Sequence, residues 1–468
     1  MSLEDESIEG IVEQMELNIS RPKLLINPCV AINNLALKKE NQYDIRKSGA
    51  LSLLVRIFKR YPEDPQLIEK ALGALSNSSL DPENSQFLGE NTQIIPLILE
   101  LLNQKTQSEQ VICRSIGFIW NLCTSASNAS MICEQNGISV LVDVMGENAM
   151  SLEIQSKALG AFTTLATNDE VSSQIVSEGA LDPIIEALVN FADNQDLIVK
   201  GITTLFNLAA NSENTEPIGQ SDAPEIICQI FKENMDDKRI VQRCSGLFSN
   251  LSSKSINNKK LGEIGLIPFL IQSVLRYKDD LQILRSTLGA IHNLSQEKQN
   301  KLIIGDAKGL QVIVVIMRTH SSSTIIQKKC SGVLVSLAIE ESLQELFIKS
   351  EAISALLLAM STHSRDPVLL GNCIVCLSNL FFFESCRAVI IEKGGIDLVV
   401  GTLHENLYNE KLLERGALFL LNSTCDPKSR DQIIKGEGKE LCEELLKVYK
   451  NNSQITKRIN GAINNMKL

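Results

Sequence analysis

The chain has 468 residues, 44% of them hydrophobic but only 4% aromatic with a single Trp, and 45 Lys and Arg against 56 Asp and Glu give a formal net charge of -11. The scarcity of aromatics disfavours a β-sandwich or barrel, and the acidic balance argues against general nucleic-acid affinity, which needs a basic surface to displace counterions. No run approaches the ~18 to 20 consecutive apolar residues of a membrane span, and the acidic start MSLEDESIEG does not read as a signal or transit peptide, so a cytoplasmic or nucleocytoplasmic location is expected.

Residues 1–7 read as a short N-terminal tail. From there a polar residue recurs at a nearly fixed interval: Asn34, Asn77, Asn121, Thr164, Asn207, Asn250, Asn293, Ser336, Asn379, Asn422 and Asn465, with steps of 43 residues except for 44 between Asn77 and Asn121. A period of this length over eleven units predicts an all-α solenoid, because such repeats complete a core only by stacking on their neighbours. Region 8–468 is therefore expected to be one continuous domain of about eleven repeats, the first and last partial or capping.

Taken in chain order, each unit should begin with a short helix, turn at a glycine into a second helix, pass through a polar loop and end in a longer third helix. Gly49 in SGALSLLV, Gly137 in NGISVLV, Gly179 in EGALDPII, Gly265 in IGLIPFLI and Gly395 in GGIDLVV mark the turn, where a positive φ suits glycine. Loops such as YPEDPQ at 61–66, KDD at 278–280 and SRDP at 364–367 supply stops and N-caps for the third helix. That helix should be roughly 14 residues long, with the marker on its polar side. Two residues before the marker stand Ile32, Leu75, Ile119, Phe162, Leu205, Phe248, Ile291, Leu334, Leu377, Leu420 and Ile463, all large and apolar. Six residues before it, Cys244, Cys330 and Cys373 share a column with Ala71, Ser115, Ala158, Gly201 and Gly416, so these cysteines read as small core residues and not as zinc ligands or disulfides.

The glycine turn followed by an apolar second helix, and the G-x-x-x-N-L pattern of the third, resemble the armadillo-repeat family over essentially the whole chain. The resemblance implies a right-handed superhelical solenoid, an α-α superhelix, whose third helices line a concave groove. It also implies that the marker asparagine hydrogen-bonds the backbone of an extended peptide held there. An amide carries both a donor and an acceptor and so can pair with any peptide unit, although the same amide can instead satisfy neighbouring groups inside the stack. On this reading Asn77, Asn121, Asn207, Asn250, Asn293, Asn379 and Asn422 are candidate peptide-binding residues.

Seven residues before the marker stand Lys70, Arg114, Lys157, Lys200, Arg243, Lys329, Arg415 and Arg458. They line up positive charge along one face of an acidic protein, which favours a partner with acidic side chains. Glu153 and Asp196 lie four residues before Lys157 and Lys200 and can neutralise them, which leaves Lys70, Arg114, Arg243, Lys329 and Arg415 as the candidate anion contacts, together with Arg458. The groove chemistry is closer to that of β-catenin-like members than to importin-α-like ones. Nuclear import adapters place Trp four residues before the marker, whereas that slot here holds mostly glycine, and the only Trp, Trp120, stands one residue before the marker, on the flank.

The expected function is that of a non-enzymatic protein-interaction scaffold or adaptor binding an extended, acidic segment, with regulation of a small GTPase as the alternative and a nuclear import adapter disfavoured. The four histidines show no metal-ligand spacing and no local pairing with a nucleophile, and no phosphate-cradling glycine motif is present. No cofactor, metal, nucleic acid or membrane insertion is expected.

Overall fold

Each marker residue stands near the C-terminal end of a long helix, because the sequence provides a cap at one end and an apolar stripe along the barrel. Asp64, Asn194, Asp280, Asp366 and Asn409 stand just before these helices and accept from the backbone N–H three residues on, at 2.9–3.1 Å. Such caps satisfy donors that a helix N-terminus otherwise leaves open. The computed structural model describes residues 7–104 and 108–467. The first six residues of the expected tail lie outside the described residues, and Ser7 accepts from Gly10 N at 3.2 Å to cap the helix Ile8–Leu17.

The chain divides into two compact units, Met1–Ile230 and Phe231–Leu468. Among the described residues both are built from helices, with no β-strand. In the first unit the third helices are Pro22–Leu35, Pro65–Ser78, Glu109–Leu122, Leu152–Leu165 and Gln195–Leu208. In the second they are Lys238–Leu251, Leu281–Leu294, Thr324–Leu337, Pro367–Phe381, Glu410–Ser423 and Ser453–Met466. All have 14 residues except Pro367–Phe381, which has 15. Within each unit third helices pack on third helices and second helices on second helices.

The apolar column two residues before the marker is the spine of both stacks. From Ile32 to Leu420 every member is at most 1% exposed, while Ile463, in the last helix, is half-buried. The small column also behaves as its residue types suggest: Cys244, Cys330 and Cys373 are fully buried free thiols, and a Cβ on Gly416 would collide with Leu403 Cδ2. Burial pushes the Cys373 thiol up to about 12, so it remains protonated and inert at neutral pH.

The turns depart from the simple glycine reading. Gly49, Gly179 and Gly265 do take positive φ, but in other repeats the left-handed residue is Asn136, Lys308, Glu351 or Gly394. Gly137 and Gly395 instead begin the second helix, where a Cβ would meet Ile132 O at 2.6 Å or Ile390 O at 2.9 Å. Two adjacent positions thus favour glycine for different reasons, one for backbone conformation and one for close approach.

A second asparagine series, seven residues after the marker, closes the C-terminal end of the third helix. Asn214, Asn257 and Asn300 are buried, and their Nδ2 groups donate to Leu208 O, Leu251 O and Leu294 O at 3.0, 2.9 and 3.1 Å. Asn128 and Asn300 also reach back to Ser85 O and Asn258 O on preceding first helices, both at 2.8 Å.

Phe248→Ala removes a fully buried spine residue. It is expected to destabilise the second unit by about 3–5 kcal/mol, read as an earlier transition in denaturant.

Candidate functional site

The marker asparagines stand half-buried along one face of the third helices. In the first unit Asn77 Nδ2 donates to Asn33 O at 3.2 Å and to Asn33 Oδ1 at 3.1 Å, Asn121 Nδ2 to Ser76 O at 2.9 Å, and Asn207 Nδ2 to Thr163 O at 3.1 Å. In the second unit Asn293 Nδ2 donates to Ser252 Oγ and Asn422 Nδ2 to Ser378 Oγ, both at 3.2 Å. Each bond runs back to the preceding repeat. Where the acceptor is a backbone carbonyl the amide orientation is fixed, since turning it over would set two oxygens against each other. Oδ1 of these five residues takes no hydrogen bond among the described residues and remains available as an acceptor. Asn250 is half-buried at the corresponding place on its helix, and Asn379 makes no side-chain hydrogen bond among the described residues.

The basic column is less uniform than its spacing. Lys70 and Arg114 share Glu69, at 3.1 and 3.3 Å. Glu69 is adjacent to Lys70 but 45 positions from Arg114, so neighbours at helical spacing do not reveal it. Lys157 pairs with Glu153 at 2.7 Å, as the spacing suggests, and through that hydrogen bond and its charge holds the Glu153 carboxyl below its ordinary range. Lys200 turns to Ser156 Oγ at 2.6 Å, and Arg458 donates to Glu414 O at 2.7 Å. Arg243 is half-buried on the helix Lys238–Leu251. Lys329 and Arg415 are exposed, and neither has an acidic partner among the described residues. Unmatched cations on this face are therefore clearest in the second unit.

The glycines four residues before the marker have a definite use. They form flat seats for side chains from adjacent repeats: a Cβ on Gly73 would be 3.0 Å from Arg114 Nη1, and one on Gly160 would be 2.7 Å from Trp120 Cε2. Gly371, eight residues before the marker Asn379 and so outside this column, seats Arg415 in the same manner, since a Cβ there would collide with Arg415 Nη1.

Trp120 therefore does not sit on the flank. It reaches across to the next third helix, donates from Nε1 to Thr164 Oγ1 at 3.1 Å, and carries Lys200 Nζ 5.6 Å from its ring centre. The residue just before the marker leans toward the following repeat, and the glycine there lets it lie flat. His292 uses Gly332 in the same way, with a Cβ there 3.2 Å from Nδ1.

The remaining histidines are accounted for by packing. His320 and His363 each place Nε2 2.7 Å from a carbonyl of the preceding repeat, Lys278 O and Ser321 O, and His404 stands 3.5 Å from Glu444. Among the described residues no group of three His, Cys, Asp or Glu is placed to hold a metal ion, and no helix is long and apolar enough to cross a membrane.

A family model for the GAC ARM domain matches residues 30–241. Over 100 residues, 20% of this chain, the sequence is 30% identical to protein aardvark of Dictyostelium discoideum, and the match spans only 13% of that protein. A chain from a structural study of a conserved phosphorylation switch that controls the interaction between cadherin and beta-catenin superposes with a TM-score of 0.80 at 14% identity, covering 98% of this chain and 90% of that one. Repeat pattern, helix order and fold together give an all-α solenoid of the armadillo type, with the family match confined to residues 30–241.

Asn207→Ala deletes the bond to Thr163 O and is expected to cost about 0.5–1.5 kcal/mol of stability; no change in a denaturant titration would mean that the amide does not serve the stack. Because Trp120 is the only Trp, Gly160→Ala should displace its ring and shift the emission spectrum.

Proposed function

We propose that this armadillo-repeat chain is a non-enzymatic interaction scaffold whose third-helix face holds an extended, acidic segment of another protein. The observation that carries the reading is the pairing of open Asn Oδ1 acceptors with unmatched Lys329 and Arg415 on the same face of the second unit. The acceptors suit the N–H groups of an extended backbone, whatever its side chains. The cations favour carboxylates, each charge-assisted bond contributing about 1.5–3 kcal/mol before the cost of ordering a flexible ligand. Several contacts are then required for useful affinity.

The test compares an oligoglutamate peptide with an oligolysine peptide by fluorescence anisotropy, using the wild-type chain and Lys329→Glu/Arg415→Glu. The wild type should bind the acidic peptide and not the basic one, and the double substitution should weaken binding at least tenfold, about 1.4 kcal/mol, with the helical circular dichroism unchanged. Equal binding by both proteins would refute the reading.

A further inference from the structure

The third-helix face of the second unit opens into a pocket of about 370 Å³ where the helices Leu281–Leu294, Thr324–Leu337 and Pro367–Phe381 meet. Its lining includes His292, Ile325, Lys329, Val335, Val368 and Asn372. Ile325 and Val368 are 51% and 56% exposed, so an apolar rim adjoins a cationic wall. His292 Nδ1 is buried against the Gly332 backbone, and no hydrogen bond of normal geometry reaches it.

The charges around His292 are predominantly positive. Lys329 faces it from the Thr324–Leu337 helix, and Lys328 beside it is held by Asp366 at 2.8 Å. On its own helix Arg285 stands two turns earlier on the same face, while the preceding helix Lys238–Leu251 contributes Arg243 and, against the neighbouring Gly289, Ser249. Asp366, the carboxylate at the start of the Pro367–Phe381 helix, is engaged by Lys328. Lys329 thus gives the wall a positive charge with no carboxylate beside it, and His292 adds a ring nitrogen able to donate once protonated.

We infer that this pocket is a specificity subsite for a carboxylate side chain of the bound segment, placed between Lys329 and His292, while an apolar side chain two residues along covers Ile325 and Val368. In an extended chain residues two apart point to the same side, about 6.6 Å from one another, which lets one segment present both groups. The inference rests on the proposed scaffold reading and adds to it a pattern, acidic and apolar residues alternating on one face.

It also adds a pH response. Burial, joined by the charge of Lys329 and offset in part by the Gly332 backbone, holds His292 below its ordinary range. An arriving carboxylate favours the imidazolium, so binding takes up a proton from solvent and tightens as pH falls through the window between the free and bound titrations. Glutamate side chains remain ionised throughout that window.

The probe is a labelled peptide of three Glu-Ser-Leu-Ser repeats, with a Gln-Ser-Leu-Ser control, measured by anisotropy at about pH 7.5 and about pH 6. Wild-type affinity for the acidic probe should rise roughly three- to tenfold at the lower pH, as uptake of less than one proton over that interval requires. His292→Gln should bind with a flat pH profile, and NMR of the His292 ring should show its titration moving upward when the probe is added. Binding that is lost in Lys329→Glu/Arg415→Glu but has the same pH profile in wild type and His292→Gln would overturn the subsite and leave the scaffold reading standing. Equal affinity for the acidic and control probes would overturn both.

Discussion

A helix that ends inside a stack leaves carbonyl groups that water cannot reach, and each must find a donor. The buried asparagines after the third helices provide it. Asn214, Asn257 and Asn300 close the carbonyl at the end of the helix just before them, and Asn300 also ties its first helix to the one before. The end of the third helix fixes the height of the marker residue, and through it the alignment of acceptors, glycine seats and cations along the face.

A similar division holds within the marker amides. In Asn77, Asn121, Asn207, Asn293 and Asn422 the donor joins the preceding repeat and the acceptor stays open, so the two ends of one side chain have different surroundings. Trp120 and the cations follow a related rule. Large side chains can cross between repeats because the glycine column leaves room for them, and Gly160 beneath Trp120 is the clearest case.

Much of the fold was legible because it is periodic: the spine from Ile32 to Leu420, the small column and the 14-residue third helix all follow from residue type at fixed spacing. Turn chemistry was less legible, since Asn136, Lys308 and Glu351 accept the left-handed conformation that glycine elsewhere makes easy. On the third-helix face, pairing within one helix was visible for Glu153 and Lys157, whereas the reach of Glu69 to Arg114 depends on how separate helices stack. The buried asparagines seven residues after the marker had the same period as the marker itself and were readable from it. Trp120 was misplaced because its direction depends on the glycine of the next repeat.

Open acceptors on stacked helices make a ruler whose marks do not match those of the chain laid along it. Helices pack about 8–10 Å apart, while an extended backbone presents an N–H to the same side about every 6.6 Å. Like the two scales of a vernier, they coincide only at intervals, near every second helix. A bound segment would be gripped at alternate rungs, and the choice between neighbouring registers would fall to the few unmatched charges, Lys329 and Arg415 among them.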